Sequence, residues 1–98
     1  MSSEHASIIR QNYDLLTKSM DPNPVVGQLE AKGILSESEA KSITDKDCRS
    51  DIVKSLLDVL ITKPDRAYSE LAQALLDSGQ PRVARMLRIN PLLLGIYY

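Results

Sequence analysis

Two side chains have the types needed for nucleophilic chemistry, Cys48 and His5, and each is the sole residue of its kind in the chain. A thiol–imidazole pair needs the base within hydrogen-bond reach of the sulfur, and donors aimed at the developing oxyanion. No glycine-rich elbow or oxyanion segment flanks Cys48 in TDKDCRSD, and His5 falls in a first helical turn, where fraying is expected. One Cys and one His also fall short of the three or four ligands of a zinc site. Asp45, Asp47 and Asp51 have the flavour of a calcium loop, but the central glycine and the acid at the twelfth place are missing, and helix capping accounts for them. No phosphate-cradling GxxxxGK occurs. The sequence therefore predicts no catalytic residue, no metal and no cofactor, and the work must be done by the surface.

The elements that position that surface are helices. The organising stretch is CRSDIVKSLLDVLI, residues 48–61, whose apolar positions Ile52, Val53, Leu56, Leu57 and Leu60 make one wide stripe of a 3.6-residue period. Asp51, Lys54, Ser55 and Asp58 take the other side. A stripe this wide needs neighbours on both flanks, so this is predicted to be the central helix of a bundle.

The neighbours follow in order. A first helix is predicted from about Ser3 to Ser19, capped by Ser2 or Ser3, with Ile8, Ile9, Asn12, Leu15 and Leu16 on one side. Pro22 and Pro24 stop it, and Asn23 with Pro24 should open a second helix that ends at Gly33, a left-handed cap position. Ile34 and Leu35 follow as buried plugs. SESE, residues 36–39, is a capping box that opens a short third helix with Ala40 and Ile43 inside. Thr44 to Asp47 should cap the fourth helix in the same way. After TKPD, residues 62–65, a fifth helix buries Ala67, Tyr68, Leu71, Ala72 and Leu75. Past SGQP, residues 78–81, a sixth turns Val83, Met86 and Leu87 inward and Arg82, Arg85 and Arg88 outward. No segment alternates with period two. The fold expected is an all-α, six-helix antiparallel bundle spanning residues 1–89, with the apolar, uncharged 90–98 as a C-terminal tail or the start of a linker.

Ninety-eight residues suit one modest core and leave no room for a large catalytic cleft beside it. There is no run of eighteen apolar residues and no basic, apolar-blocked secretion signal, and a single cysteine fits a reducing compartment, most simply the cytoplasm. Twelve basic and thirteen acidic side chains leave a net charge of −1, so the molecule as a whole is drawn neither to nucleic acid nor to an anionic membrane. Charge-driven recognition must come from local patches.

Four passages, in order, carry a resemblance. LEAKGILSESE (29–39) is similar to an "L…G(V/I)L(T/S)…E" passage, KSLLDVL (54–60) to "LLDxL", KPDRAY (63–68) to "(K/R)GPxAF", and ALLDSGQPRVARML (74–87) to "aLxxxGqxxLaxxL". Together they resemble the caspase-recruitment domain of the death-fold superfamily over about residues 6 to 88. Lys63 stands where that pattern expects glycine, and Tyr68 replaces its usual Phe. The resemblance implies the Greek-key bundle of the death fold, with no chemistry of its own, that binds other copies of that fold and often polymerises helically. Carried over by position, a basic side would comprise Arg10, Lys18, Arg49 and Lys54, and an acidic side Asp21, Glu30, Glu37 and Glu39. Both signs on one body permit head-to-tail contacts that do not close, hence filaments. The partner implied is another caspase-recruitment protein, an initiator caspase or oligomeric scaffold, or the chain itself, in apoptotic or inflammatory signalling.

One rival reading belongs to another class. Residues 68–88, from YSELAQAL to PRVARMLR, have the outline of a DNA-binding helix-turn-helix with three arginines on the reading helix. Against it, Leu76 occupies the place of the usual turn glycine, and the net charge gives little of a basic footprint.

Overall fold

The computed structural model describes residues 1–87, and every regular element among them is helical. The elements are α1 (Ser3–Gln11), α2 (Tyr13–Ser19), α3 (Pro22–Ala31), α4 (Glu37–Thr44), α5 (Arg49–Ile61), α6 (Arg66–Asp77) and α7 (Pro81–Met86). The expected six become seven because the first divides at Asn12. The Asn12 N–H is shared between the carbonyls of Ile8 and Ile9 at 3.1 and 3.2 Å, and its Nδ2 donates to the Ile8 carbonyl at 2.9 Å. Asparagine here offers the backbone a competing partner, and the chain re-enters the helix one residue later. The break rotates α2, so Leu16 and Thr17 are buried while Leu15, expected inside, is 54% exposed. Tyr13, the first residue of α2, sends its hydroxyl to Asp58 of α5 at 3.3 Å.

α5 is the central helix. It packs against α2, α3 and α4, and Val53, Leu56, Leu57 and Leu60 are fully buried. Burying each such side chain contributes about 1.5–3 kcal/mol. Ile52 is only half-buried. The helices close a ring in which α2 touches α5, α5 touches α4, α4 touches α3, α3 touches α6, α6 touches α7 and α7 returns to α2, and α5 also reaches across to α3. Three of those contacts join elements distant in the chain, which gives one continuous core instead of a row of hairpins.

Turn chemistry places the corners. Gly33 and Gly79 both have φ of 78° and end α3 and α6. The N–H of Ile34 returns to the Leu29 carbonyl at 3.0 Å, and that of Gln80 to the Leu75 carbonyl at 2.7 Å, so both ends are Schellman caps. The capping box of α4 forms as expected: Ser36 Oγ accepts the Glu39 N–H at 3.1 Å and Glu39 Oε1 accepts the Ser36 N–H at 3.0 Å.

Two expected starts differ. α3 begins at Pro22, not Pro24, since first-turn N–H groups lack intrahelical partners and both prolines are tolerated there. Its entry is held from outside by Gln80, whose Oε1 accepts the Asp21 N–H at 2.7 Å and whose Nε2 donates to the Asp21 carbonyl at 3.0 Å. At α5 the N-cap is Cys48, with no side-chain cap bond. Thr44, expected to help cap it, instead donates its hydroxyl to the Ala40 and Lys41 carbonyls at 2.9 and 3.3 Å, closing α4. Val83 and Leu87 are buried and Met86 half-buried, with Arg82 and Arg85 exposed. Arg88 and the tail 90–98 lie outside the described residues.

Candidate functional site: two charged surfaces

His5 and Cys48 do not meet. Cys48 is exposed at the start of α5. His5 is held beyond the far end of that helix, with Nδ1 2.5 Å from Asp65 Oδ1 and its ring stacked on Tyr68 at a centroid separation of 4.0 Å. A 13-residue helix is about 20 Å long, which separates the two side chains. The first turn of α1 is therefore tied down where fraying was expected. Ser2 caps it by accepting the His5 N–H at 3.2 Å, and the Ser2 N–H donates to Asp65 at 3.1 Å. That bond, followed by the one from His5, holds the Asp65 carboxyl below its usual range. The Tyr68 hydroxyl in turn donates to the Leu87 carbonyl. Asp45, Asp47 and Asp51 are all exposed, and among the described residues no group of three His, Cys, Asp or Glu could hold a metal ion.

The acidic residues named from the sequence fall into three places. Glu30 of α3 and Glu37 of α4 line one shallow groove between those helices, with Val26 and Ala40 among its apolar residues and Lys41 beside them. Both glutamates are exposed and enter no ion pair among the described residues. Glu39 lies on the other flank of α4, in a groove shared with Asp58 of α5. There Lys63 Nζ grips both of its carboxylate oxygens at 2.8 and 2.7 Å. The Lys63 bonds first, and then the Ser36 N–H, keep the Glu39 carboxyl below its ordinary range. Glycine at position 63 could not make this contact. Asp21 sits in neither groove but at the α2–α3 corner, its backbone bracketed by Gln80.

The basic residues are spread over three helices. Arg10 is exposed in the last turn of α1, Lys18 in the last turn of α2, and Arg49 and Lys54 on α5. Arg49 reaches back so that Nη2 donates to the Lys18 backbone carbonyl at 2.9 Å, capping α2. Lys54 is adjacent to Tyr13, whose hydroxyl lies 3.5 Å from the Lys54 carbonyl. Sequence reasoning missed that this side also holds carboxylates. Asp58 accepts from Tyr13, and desolvation, then Asp58, then Asp14 push the Tyr13 phenol upward. No spacing rule announces such a pairing, because residues 13 and 58 meet only when α2 packs on α5.

This is a closed helical body whose free charges stand on its outside, the class of protein-interaction module that works by surface recognition. The chain matches the caspase recruitment domain over residues 6–90 and belongs to that family of the death-fold superfamily. Its members are homotypic protein-interaction modules of apoptotic and inflammatory signalling. No curated protein matches the chain significantly. The segment proposed as a helix-turn-helix falls inside the family match, and nothing found favours DNA binding. No helix among the described residues is long and apolar enough to cross a membrane.

Proposed function

We propose that this domain recruits or oligomerises a caspase or adaptor in the cytoplasm, by joining its charged surfaces to those of another caspase-recruitment domain or of its own copies. The observation that carries this reading is the separation of free charges: Glu30 and Glu37 share one groove between α3 and α4, while Arg10 and Lys54 stand exposed on α1 and α5. Surfaces of opposite sign on different faces give heterologous contacts that extend as a chain or helical filament instead of closing on themselves. An attached effector is thereby concentrated, and proximity activates it. The domain proper spans residues 1–89. Whether it serves as a caspase prodomain, a scaffold terminus or an adaptor depends on what it is joined to.

Light scattering of the purified domain against concentration and salt tests this. Assembly should weaken as salt rises, because such complementarity acts through a screened field. Arg10→Glu and Lys54→Glu should each suppress assembly at an unchanged melting temperature, and pairing either with Glu30→Arg should restore part of it. Variants that assemble like the parent would reject the reading.

A further inference from the structure

Thr44 is the last residue of α4, is exposed, and lines the same groove as Glu30, Glu37 and Lys41. Its hydroxyl donates to the Ala40 and Lys41 carbonyls at 2.9 and 3.3 Å, which uses its one proton. Residues 45–48, which follow, are non-helical. Asp45 and Asp47, one and three places past Thr44, are exposed and enter no ion pair among the described residues. A hydroxyl at a helix end, followed by an open connection with free acids at those two places, suits a kinase whose basic cleft selects acidic substrates. Lys46 between the two aspartates is the one opposing charge.

We propose that Thr44 is a phosphorylation site for an acid-directed serine/threonine kinase, and that its phosphate raises the negative charge of the α3–α4 groove. Two nearby hydroxyls fit less well. Ser36 also has acids one and three places on, but its Oγ accepts the Glu39 N–H at 3.1 Å, and Glu39 itself is gripped by Lys63. Ser42 has Asp45 three places on, but it lies within α4 beside the buried Ile43, so a kinase could extend the chain there only by unwinding the helix. In the transfer, Thr44 Oγ1 attacks the γ-phosphorus of a nucleoside triphosphate. The Oγ1–P bond forms, the bridging bond to the β-phosphate breaks, the hydroxyl proton passes to the base of the kinase, and the nucleoside diphosphate leaves. The product carries a charge of about −1.5 to −2. Two carboxylates against Lys41 give the groove a net charge of −1, which the phosphate takes to about −3. That a more negative groove holds a basic surface more tightly rests on the reading given above. Modification also removes the hydroxyl proton that serves the last α4 carbonyls and sets an anion at a helix C-terminus, so the melting temperature should fall.

Treatment of the full chain with an acid-directed kinase and ATP, followed by mass spectrometry of its fragments, decides the site. One phosphate, on Thr44, is expected. Asp45→Asn combined with Asp47→Asn should slow incorporation about tenfold, Lys46→Gln should speed it, and Ser42→Ala should leave it as in the parent. No incorporation, phosphate on Ser36 or Ser42 instead, or a rate indifferent to the two aspartates overturns the assignment. Sedimentation at two salt concentrations reads the consequence. The phosphorylated chain should self-associate severalfold more tightly than the unmodified one at low salt, and the two should converge at high salt. Thr44→Val, which loses the same proton and gains no charge, should share the lowered melting temperature without the tightening. A phosphorylated chain that associates no more tightly than the parent overturns the effect on the groove. Lys54→Glu then separates the two layers: if it still suppresses assembly of the unmodified chain, only the role of the phosphate is wrong, and if it does not, the broader reading fails with it.

Discussion

The charges of this domain divide into those the fold uses itself and those it leaves outside. Around the α5–α6 connection the charges are spent internally: Lys63 clasps Glu39, and Asp65 is held by Ser2 and His5. On the α3–α4 groove Glu30 and Glu37 enter no ion pair among the described residues, nor do Arg10 and Lys54 on their own helices. Glu37 and Glu39 are two residues apart on one short helix, yet they face opposite flanks and belong to opposite groups. An acid or base in such a module is available to a partner only when no neighbouring element has claimed it. Substitutions in the first group should act on stability, and those in the second on assembly.

The largest departure tests the frame on which both groups depend. Leu57→Ala, at a fully buried position of α5, should lower unfolding free energy by about 2–5 kcal/mol in denaturant titration. A cost below 1 kcal/mol would show that α5 is not the axis of the bundle. Next in size, Tyr68→Phe leaves the Leu87 carbonyl without the hydroxyl that serves it, at a cost of about 1–3 kcal/mol. Calorimetry of that variant should show the loss with secondary structure intact.

A smaller effect bears directly on the division. Lys63→Met should lower the melting temperature and leave self-association unchanged, whereas Lys54→Glu should do the reverse. If both variants behave alike, paired and unpaired charges are not functionally distinct. The smallest effect is titration. Glu39 and Asp65 both have folded carboxyl pKa values depressed below their unfolded ones, so their stabilisation is complete above the ordinary carboxylate range and is lost as pH falls through the depressed values. Melting temperature should therefore decline on acidification below about pH 4, the unfolded carboxylate range, and less steeply in Lys63→Met. Equal slopes would mean that Lys63 is not what lowers Glu39.

Much of the architecture was legible because its signals are local. The Ser36–Glu39 box, the glycine ends of α3 and α6 and the stripe of α5 each depend on residues within one or two turns, and each is found where the spacing puts it. The misreadings were side-chain-to-backbone bonds, two of them local and one from a distant partner. Asn12 splits the first helix by bonding its own backbone, Gln80 sets the start of α3 from 59 residues away, and Thr44 serves the helix it ends. The charged surfaces were legible by residue type and less so by grouping. Glu30 and Glu37 share a groove, whereas Glu39 and Asp21 stand apart from it.

The sequence by itself determined that the chain is helical and where most helices begin and end, because periodicity, caps and breakers act within a few residues. Tertiary structure alone decided which of its surface charges are free. The contacts that neutralise or regroup them span 24 residues for Lys63 with Glu39, 31 for Arg49 with Lys18 and 60 for His5 with Asp65. Such pairs exist only after helices remote in the chain have closed into one ring.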